Sequence, residues 1–349
     1  MKVKKIFTRK FMELSGSVHN HSCYSYDSNQ NVEKIITLAK KQGLDFITIN
    51  DHNNFAAAKD EAVKNVENLF VIVGAEINDK NNNNHLLVFD TKKLPDLSDV
   101  KDYVSFYTDQ KAIRFVAHPF ERRLSKQFRK YQWTDKSIDD FDGIEIWNYV
   151  SAWLGHLRPS INGLLLVLFP STFVKKPLRD TLTYWDELNL QGKRRAAIGS
   201  TDAHSVDLQK FGLKLTILTH KMLFKTIRTN VLLPEDENID NKTILAAMKR
   251  GNSYVVNYKV GVPYNFYAGI KADNGGEAIF GEEFKLDGEA KLYFRLPFTA
   301  KVKLIRNGEK IASKRDDLGY FFIRAKGNYR LEIEKNLRGW IYTNNIYVI

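Results

Sequence analysis

Five histidines and several carboxylates in this chain follow runs of apolar, β-branched residues. His19 and His21 come after Ser17-Val18, Asp51 and His52 after DFITIN, and Glu76 after LFVIVGA. His118 follows IRFVA, and Asp202 with His204 follows AAIGST. Glu145 lies within GIEIWN, and His85 opens the apolar run to Phe89. Imidazoles and carboxylates without thiolates suit zinc, manganese or iron. His-x-His in an extended segment turns both rings to one side, and carboxylates such as Glu76 and Asp202 can bridge two ions. Ions held ~3.5–4 Å apart activate a shared water and clamp a phosphoryl oxygen, so the chemistry on offer is metal-assisted hydrolysis. Each pattern alone has an ordinary explanation: His118-Pro119 as a buried histidine before a turn, Asp51-His52 as a capping pair. Their joint placement on five strand ends does not.

The elements that would position these groups alternate. Residues 31–42 set Val32, Ile35, Ile36 and Ala39 on one helical face, and Gly43 ends it. Strands are expected at 45–50, 69–75, 85–89, 113–117, 143–147 and 196–199, then at 215–218 and 254–256, with a helix over 56–67. Strand–helix alternation predicts a parallel sheet covered by helices, with the candidate ligands at its C-terminal strand ends. After residue 260 short alternating segments appear: 290–295, 301–306, 320–324, 329–334 and 341–348. Asn307-Gly308 and Gly327-Asn328 separate some of them, the pattern of a small antiparallel β-sandwich. That stretch contains no histidine. Two domains are therefore expected, 1–258 and 262–349, the second separable without disturbing the ligands.

The net charge of +12 admits a nucleic-acid partner, but the cations are scattered and fit a generally basic surface as well. The single Cys23 excludes an internal disulfide and is expected to be a small packed residue. The most apolar stretch, 161–169, falls far short of the ~20 residues needed to span a bilayer. No membrane partner is expected, and with no signal-like leader the expected compartment is the cytoplasm.

The motifs SVHNHS, INDHNN, GAEIN, VAHPF, GIEIWN and GSTDAHS, in this order, resemble those of the polymerase and histidinol phosphatase (PHP) superfamily over about residues 15–256. The resemblance implies a distorted (β/α)7 barrel with a di- or trinuclear site of two to three divalent ions. One ion would be held by His19, His21, Glu76 and Asp202, and a second by bridging Glu76, His85 and His118. A third would take His52 and His204, with Asp27 where members vary between His and Asp. Glu145 matches a motif either as a ligand or as a residue orienting one. His156 and His220 match none. The segments WDELNLQGKRRAAIGSTDAH, LIRNG and WIYTNNIYVI are similar to the branch containing carbaryl hydrolase.

The family majority implies a phosphoesterase acting on a small phosphomonoester, with Glu76 and Asp202 as catalytic carboxylates. Carboxylic-ester or carbamate hydrolysis, nuclease action and a metal-stabilised binding module are the alternatives. Arg122 and Arg123, just past His118-Pro119, are the expected phosphate-binding pair.

Overall fold

The computed structural model describes residues 1–96, 99–210 and 213–349. The chain opens with an antiparallel pair, β1 (Lys2–Ile6) and β2 (Arg9–Ser17). Helix α1 (Val32–Lys41) follows, its first turn capped by the Asn31 side chain, which accepts from the Lys34 N–H at 3.0 Å. Strands β3 (Phe46–His52) and β4 (Phe70–Ile77) pair in parallel. The helix expected over 56–67 is instead two short 3₁₀ turns, Ala56–Lys59 and Glu61–Val63, because Asp60 adopts extended backbone and caps the second.

Strand β5 (Leu86–Phe89) is antiparallel to both β4 and the later β6 (Ile113–Val116), so the sheet is not uniformly parallel. Helix α2 (Val100–Asp109) connects β5 to β6. Parallel pairing resumes through β7 (Gly143–Asn148) and β8 (Ala196–Ser200), joined by α3 (Tyr149–Leu154), α4 (Pro159–Leu168), α5 (Pro170–Phe173) and α6 (Arg179–Leu190). The run then returns on itself. Thr201 N–H donates to Val18 O at 3.1 Å and His21 N–H to Ala203 O at 2.9 Å, bringing the end of β8 beside the end of β2.

A hairpin of β9 (Val206–Lys210) and β10 (Leu213–Ile217) follows, then α7 (His220–Leu223). Strand β11 (Ile227–Pro234), α8 (Asn241–Arg250) and β12 (Ser253–Asn257) complete this part, β11 lying antiparallel to both β2 and β12.

The remaining strands are β13 (Tyr267–Ala272), β14 (Glu277–Ala278), β15 (Glu283–Phe284), β16 (Ala290–Arg306), β17 (Glu309–Ile323), β18 (Gly327–Lys335), β19 (Arg338–Thr343) and β20 (Ile346–Val348). Their pairings are antiparallel apart from β15 with β20. The segments expected at 290–295 and 301–306 are one long strand with an irregularity after Arg295.

The expected boundary at 258–262 falls between strands, but the packing does not divide there. Strand β12 pairs with β19, so the sheet is continuous. Ile6, Phe11, Leu232, Tyr254 and Val256 share one apolar core with Ile270, Phe294 and Trp340. Asn344 holds both backbone groups of Ala197 in β8, accepting from its N–H at 2.6 Å and donating to its carbonyl at 2.9 Å. The buried Arg330 guanidinium forks Asp186 of α6, and Tyr342 packs edge-on against Trp147 in β7.

Candidate metal centre

Glu76, the penultimate residue of β4, sits at the centre of the cluster and is essentially inaccessible to solvent. Its Oε2 lies 3.0 Å from His19 Nε2, 3.3 Å from His21 Nε2 and 3.4 Å from His52 Nε2. Its Oε1 lies 2.7 Å from His85 Nδ1 and 3.2 Å from His118 Nε2. Asp202 Oδ1 stands 3.4 Å from His19 Nε2 and 3.3 Å from His21 Nε2. Asp27 Oδ2 lies 3.2 Å from His52 Nε2 and 3.1 Å from His204 Nε2.

Three groups of potential ligand atoms result, each with all members within 4.8 Å of one another: His19, His21, Glu76 and Asp202; His21, Asp27, His52 and His204; and His52, Glu76 and His85. His118 joins the last through Glu76. The nine residues expected as ligands therefore come together. Both His85, at the start of an antiparallel strand, and Asp27, in the loop before α1, reach the cluster.

A metal fits this arrangement for a specific reason. The Nε2 atoms of His19 and His21 are buried and make no hydrogen bond, although carboxylate oxygens stand only 3.0–3.4 Å away. The atoms aim at a shared point between them rather than at one another. Leaving buried polar atoms unsatisfied is costly, and a cation at that point would satisfy both nitrogens and meet the facing Glu76 and Asp202 oxygens. For His19, His118 and His204 the opposite ring nitrogen is already engaged, as it is in metal-binding histidines. His19 Nδ1 meets Glu145 Oε1 at 2.8 Å, His118 Nδ1 donates to Tyr131 O at 2.8 Å, and His204 Nδ1 donates to Asp202 O at 2.8 Å. Glu145 thus orients His19, and its Oε2 accepts from the His118 N–H at 2.9 Å.

Backbone and charge are both drawn to the same end. His19, His118 and Asp202 have φ of 63°, 27° and 57°, in the left-handed region. Such backbone is sparsely populated by non-glycine residues and concentrates at functional sites. Burial opposes charge on His118, but its hydrogen bond to Glu76 and the nearby Glu121 push its pKa up to about 9. His204, likewise buried, is raised to about 9 by Asp202 and Asp27. Burial alone would raise Asp27, yet hydrogen bonds from His204 and His52 hold its carboxyl well below the usual range. The acids draw positive charge onto the imidazoles; a metal would replace those protons.

Several contributors lie outside the expected set. Asn148 donates to Glu145 Oε2 at 2.9 Å and to Asp202 Oδ2 at 3.2 Å, tying the two carboxylates together. Its place three residues after Glu145 in GIEIWN is the only hint the sequence offers. Tyr26, largely exposed, stacks on His52 with ring centres 4.9 Å apart. Tyr131 lies 5.5 Å from the His85 ring, and the Arg129 guanidinium sits 5.4 Å from the Tyr131 ring.

The expected arginine pair separates. Arg123 is tied into its own loop: it bonds Glu121 Oε1 at 2.6 Å and the carbonyls of Arg122, Ser151 and Arg129. Four of its five donors are taken, so it braces the loop. Arg122 is exposed and lies near His156. Arg129, by contrast, is linked to the cluster through the Tyr131 ring, which lies against His85. Cys23 is exposed rather than packed. His220 is a buried residue that meets Ser205 Oγ at 2.9 Å, behind the ligand loop; burial lowers its pKa to about 3.

The cluster begins at the end of β2, and so does the family match. Residues 17–138 match the PHP domain. The PHP domain match takes in seven of the nine clustered residues, from His19 to His118, and ends before Asp202 and His204. No curated protein matches the chain. Among solved structures, a two-domain protein containing a predicted PHP-like metal-dependent phosphoesterase from Bacteroides vulgatus ATCC 8482 is 15% identical, with 96% of each chain covered and a TM-score of 0.46. The lesion-specific endonuclease PfuEndoQ from Pyrococcus furiosus is 14% identical over 76% of this chain and 64% of its own, with a TM-score of 0.43.

Proposed function

We propose that the protein is a metal-dependent phosphoesterase acting on a small phosphomonoester, with the ring of strands β2 to β8 serving as a distorted seven-stranded barrel. The observation that carries this is the convergence of the unbonded His19 and His21 Nε2 atoms with Glu76 and Asp202. His19, His21, Glu76 and Asp202 would hold one ion, Glu76, His85 and His118 a second, and Asp27, His52 and His204 a third. Bound zinc, manganese or iron would supply a Lewis acid and an activated water.

The chain's own residues do the rest. Glu76 spends one oxygen on each side of the cluster, which suits a bridging role. Asp202, steadied at Oδ2 by Asn148, presents Oδ1 toward His19 and His21, where it can accept a proton. At the rim, Asn83 Oδ1 at 3.2 Å and the Asn81 carbonyl hold one Arg129 nitrogen. Its remaining donors would be free to fork a phosphate.

Protein purified without chelator should carry two to three transition-metal ions per chain by elemental analysis. None after reloading with zinc or manganese would end the proposal. With metal restored, a panel of phosphomonoesters, phosphodiesters and carboxylic esters should show the monoesters preferred in kcat/KM by roughly tenfold or more. Preference for diesters or for carboxylic esters would reassign the substrate.

Arg129→Ala should lower kcat/KM on a phosphomonoester roughly tenfold, about 1.4 kcal/mol, with little change on a neutral ester. Arg122→Ala should leave both unchanged. Equal effects of Arg129→Ala on the two substrates would remove it from phosphate binding.

A further inference from the structure

Helix α4 and the following Phe169 carry an apolar stripe that no described residue covers. Ile161, Leu164, Leu165, Leu168 and Phe169 recur at helical spacing and are each between 51% and 73% exposed. The opposite side is anchored: Leu166 is buried, and its carbonyl accepts from Trp153 Nε1 at 3.1 Å. The stripe is therefore held outward on a fixed support. Contiguous exposed apolar surface of this kind marks an interaction site.

The surrounding charge says what kind. Residues 146–179 contain no Asp or Glu, but include Arg158, Lys175, Lys176 and Arg179. Arg158, Lys175 and Arg179 are exposed and make no ion pair among the described residues, while Lys176 pairs with Glu334 at 2.7 Å. Arg122 and Lys175 both lie close enough to His156 to disfavour its charged form, after the larger effect of burial. Of the acids around this segment, Asp180 adjoins Arg179 in sequence, Glu334 is engaged by Lys176 and Lys303, and Asp207 accepts from Thr216 Oγ1 at 2.6 Å. Cations thus flank an apolar face.

We infer that this face docks the protein on an anionic lipid bilayer, α4 lying in the interface with its stripe among the acyl chains and the flanking cations at the headgroups. An interfacial helix needs an apolar face and a cationic border, not length. No helix among the described residues is long and apolar enough to cross a membrane, so α4 would lie on the bilayer. A second copy fits less well, because symmetric pairing of the stripe would bring like-charged borders together. The expectation of no membrane partner rested on spanning length alone, which does not bear on surface binding.

The segment leaves β7 at Asn148, which contacts Glu145 and Asp202, so the stripe grows from the end of the strands that holds the metal cluster. Docking is nevertheless independent of the reaction proposed above.

The test is flotation of the full chain with phosphatidylcholine vesicles, with and without phosphatidylglycerol. The chain should float with the anionic vesicles at least about tenfold more than with the neutral ones, and the excess should fall as salt rises. A Leu164→Asp/Leu168→Asp variant and an Arg158→Glu/Lys175→Glu variant should each lose that binding about tenfold while keeping wild-type metal content and melting temperature. Failure to float with anionic vesicles would overturn the inference, as would undiminished binding by either variant. A solution dimer dispersed by the leucine double variant would assign the stripe to a second copy instead.

Discussion

Replacing Glu76 with Gln should abolish hydrolysis to within a thousandth of wild type, on the order of 4 kcal/mol of transition-state stabilisation. The substitution preserves shape and removes the one charge facing five imidazoles, those of His19, His21, His52, His85 and His118. Burial opposes its charged form, and His19, His52, His85 and His118 nevertheless hold its carboxyl well below the ordinary range. Without it, cations on either side lose their common counter-charge. Metal content should drop by at least one ion per chain, while circular dichroism shows an intact fold. His85→Ala should be milder, since it touches one side of the cluster only. Wild-type metal and activity in Glu76→Gln would refute the bridging role.

A chain ending at residue 258 should fail to fold. Truncation uncovers Ile6, Phe11, Leu232, Tyr254 and Val256, all nearly inaccessible in the intact protein. At ~1.5–3 kcal/mol per buried side chain, that loss is on the order of 10 kcal/mol, comparable with the ~5–15 kcal/mol of a whole folded domain. Trp147 loses Tyr342, Asp186 loses Arg330, and β12 loses a strand partner. Recovery of a soluble truncated chain with a cooperative melt and full metal content would show that the C-terminal strands are separable after all.

The sequence made most of the cluster legible because His19, His21, His52, Glu76, His118, Asp202 and His204 follow apolar runs, and buried strands end where the chain emerges from the sheet; His85 precedes its run, and Asp27 is marked only by the family resemblance. It conveyed less where neighbours decide. The direction of β5 depends on pairing with β4 and β6, not on its own four buried residues. Ala56 to Glu67 has helical spacing, but Asp60 prefers to cap rather than continue a helix. Arg123 has the right side chain for phosphate, yet Glu121 claims it once the loop forms, leaving Arg129 at the rim. The apolar run at 161–169 was plain by composition; that five of its side chains face outward is a fact of tertiary structure. Likewise, alternation identified the late strands, but nothing in their spacing said that β19 would extend the first sheet.

The Asn344 clamp bears on when the centre can exist. Asn344 holds both backbone groups of Ala197 from 147 positions further along the chain, and it donates to Ser253 O as well. Strand β8, which delivers Asp202 and His204, is therefore synthesised long before the side chain that secures it. Contacts so distant in sequence form slowly, because their loop must close first. A nascent chain already displaying His19 to His118 offers only part of the coordination set, held on an open ladder of strands. Metal capture at full affinity would therefore wait until Asn344 has been made, well after the last of the candidate ligands, His204.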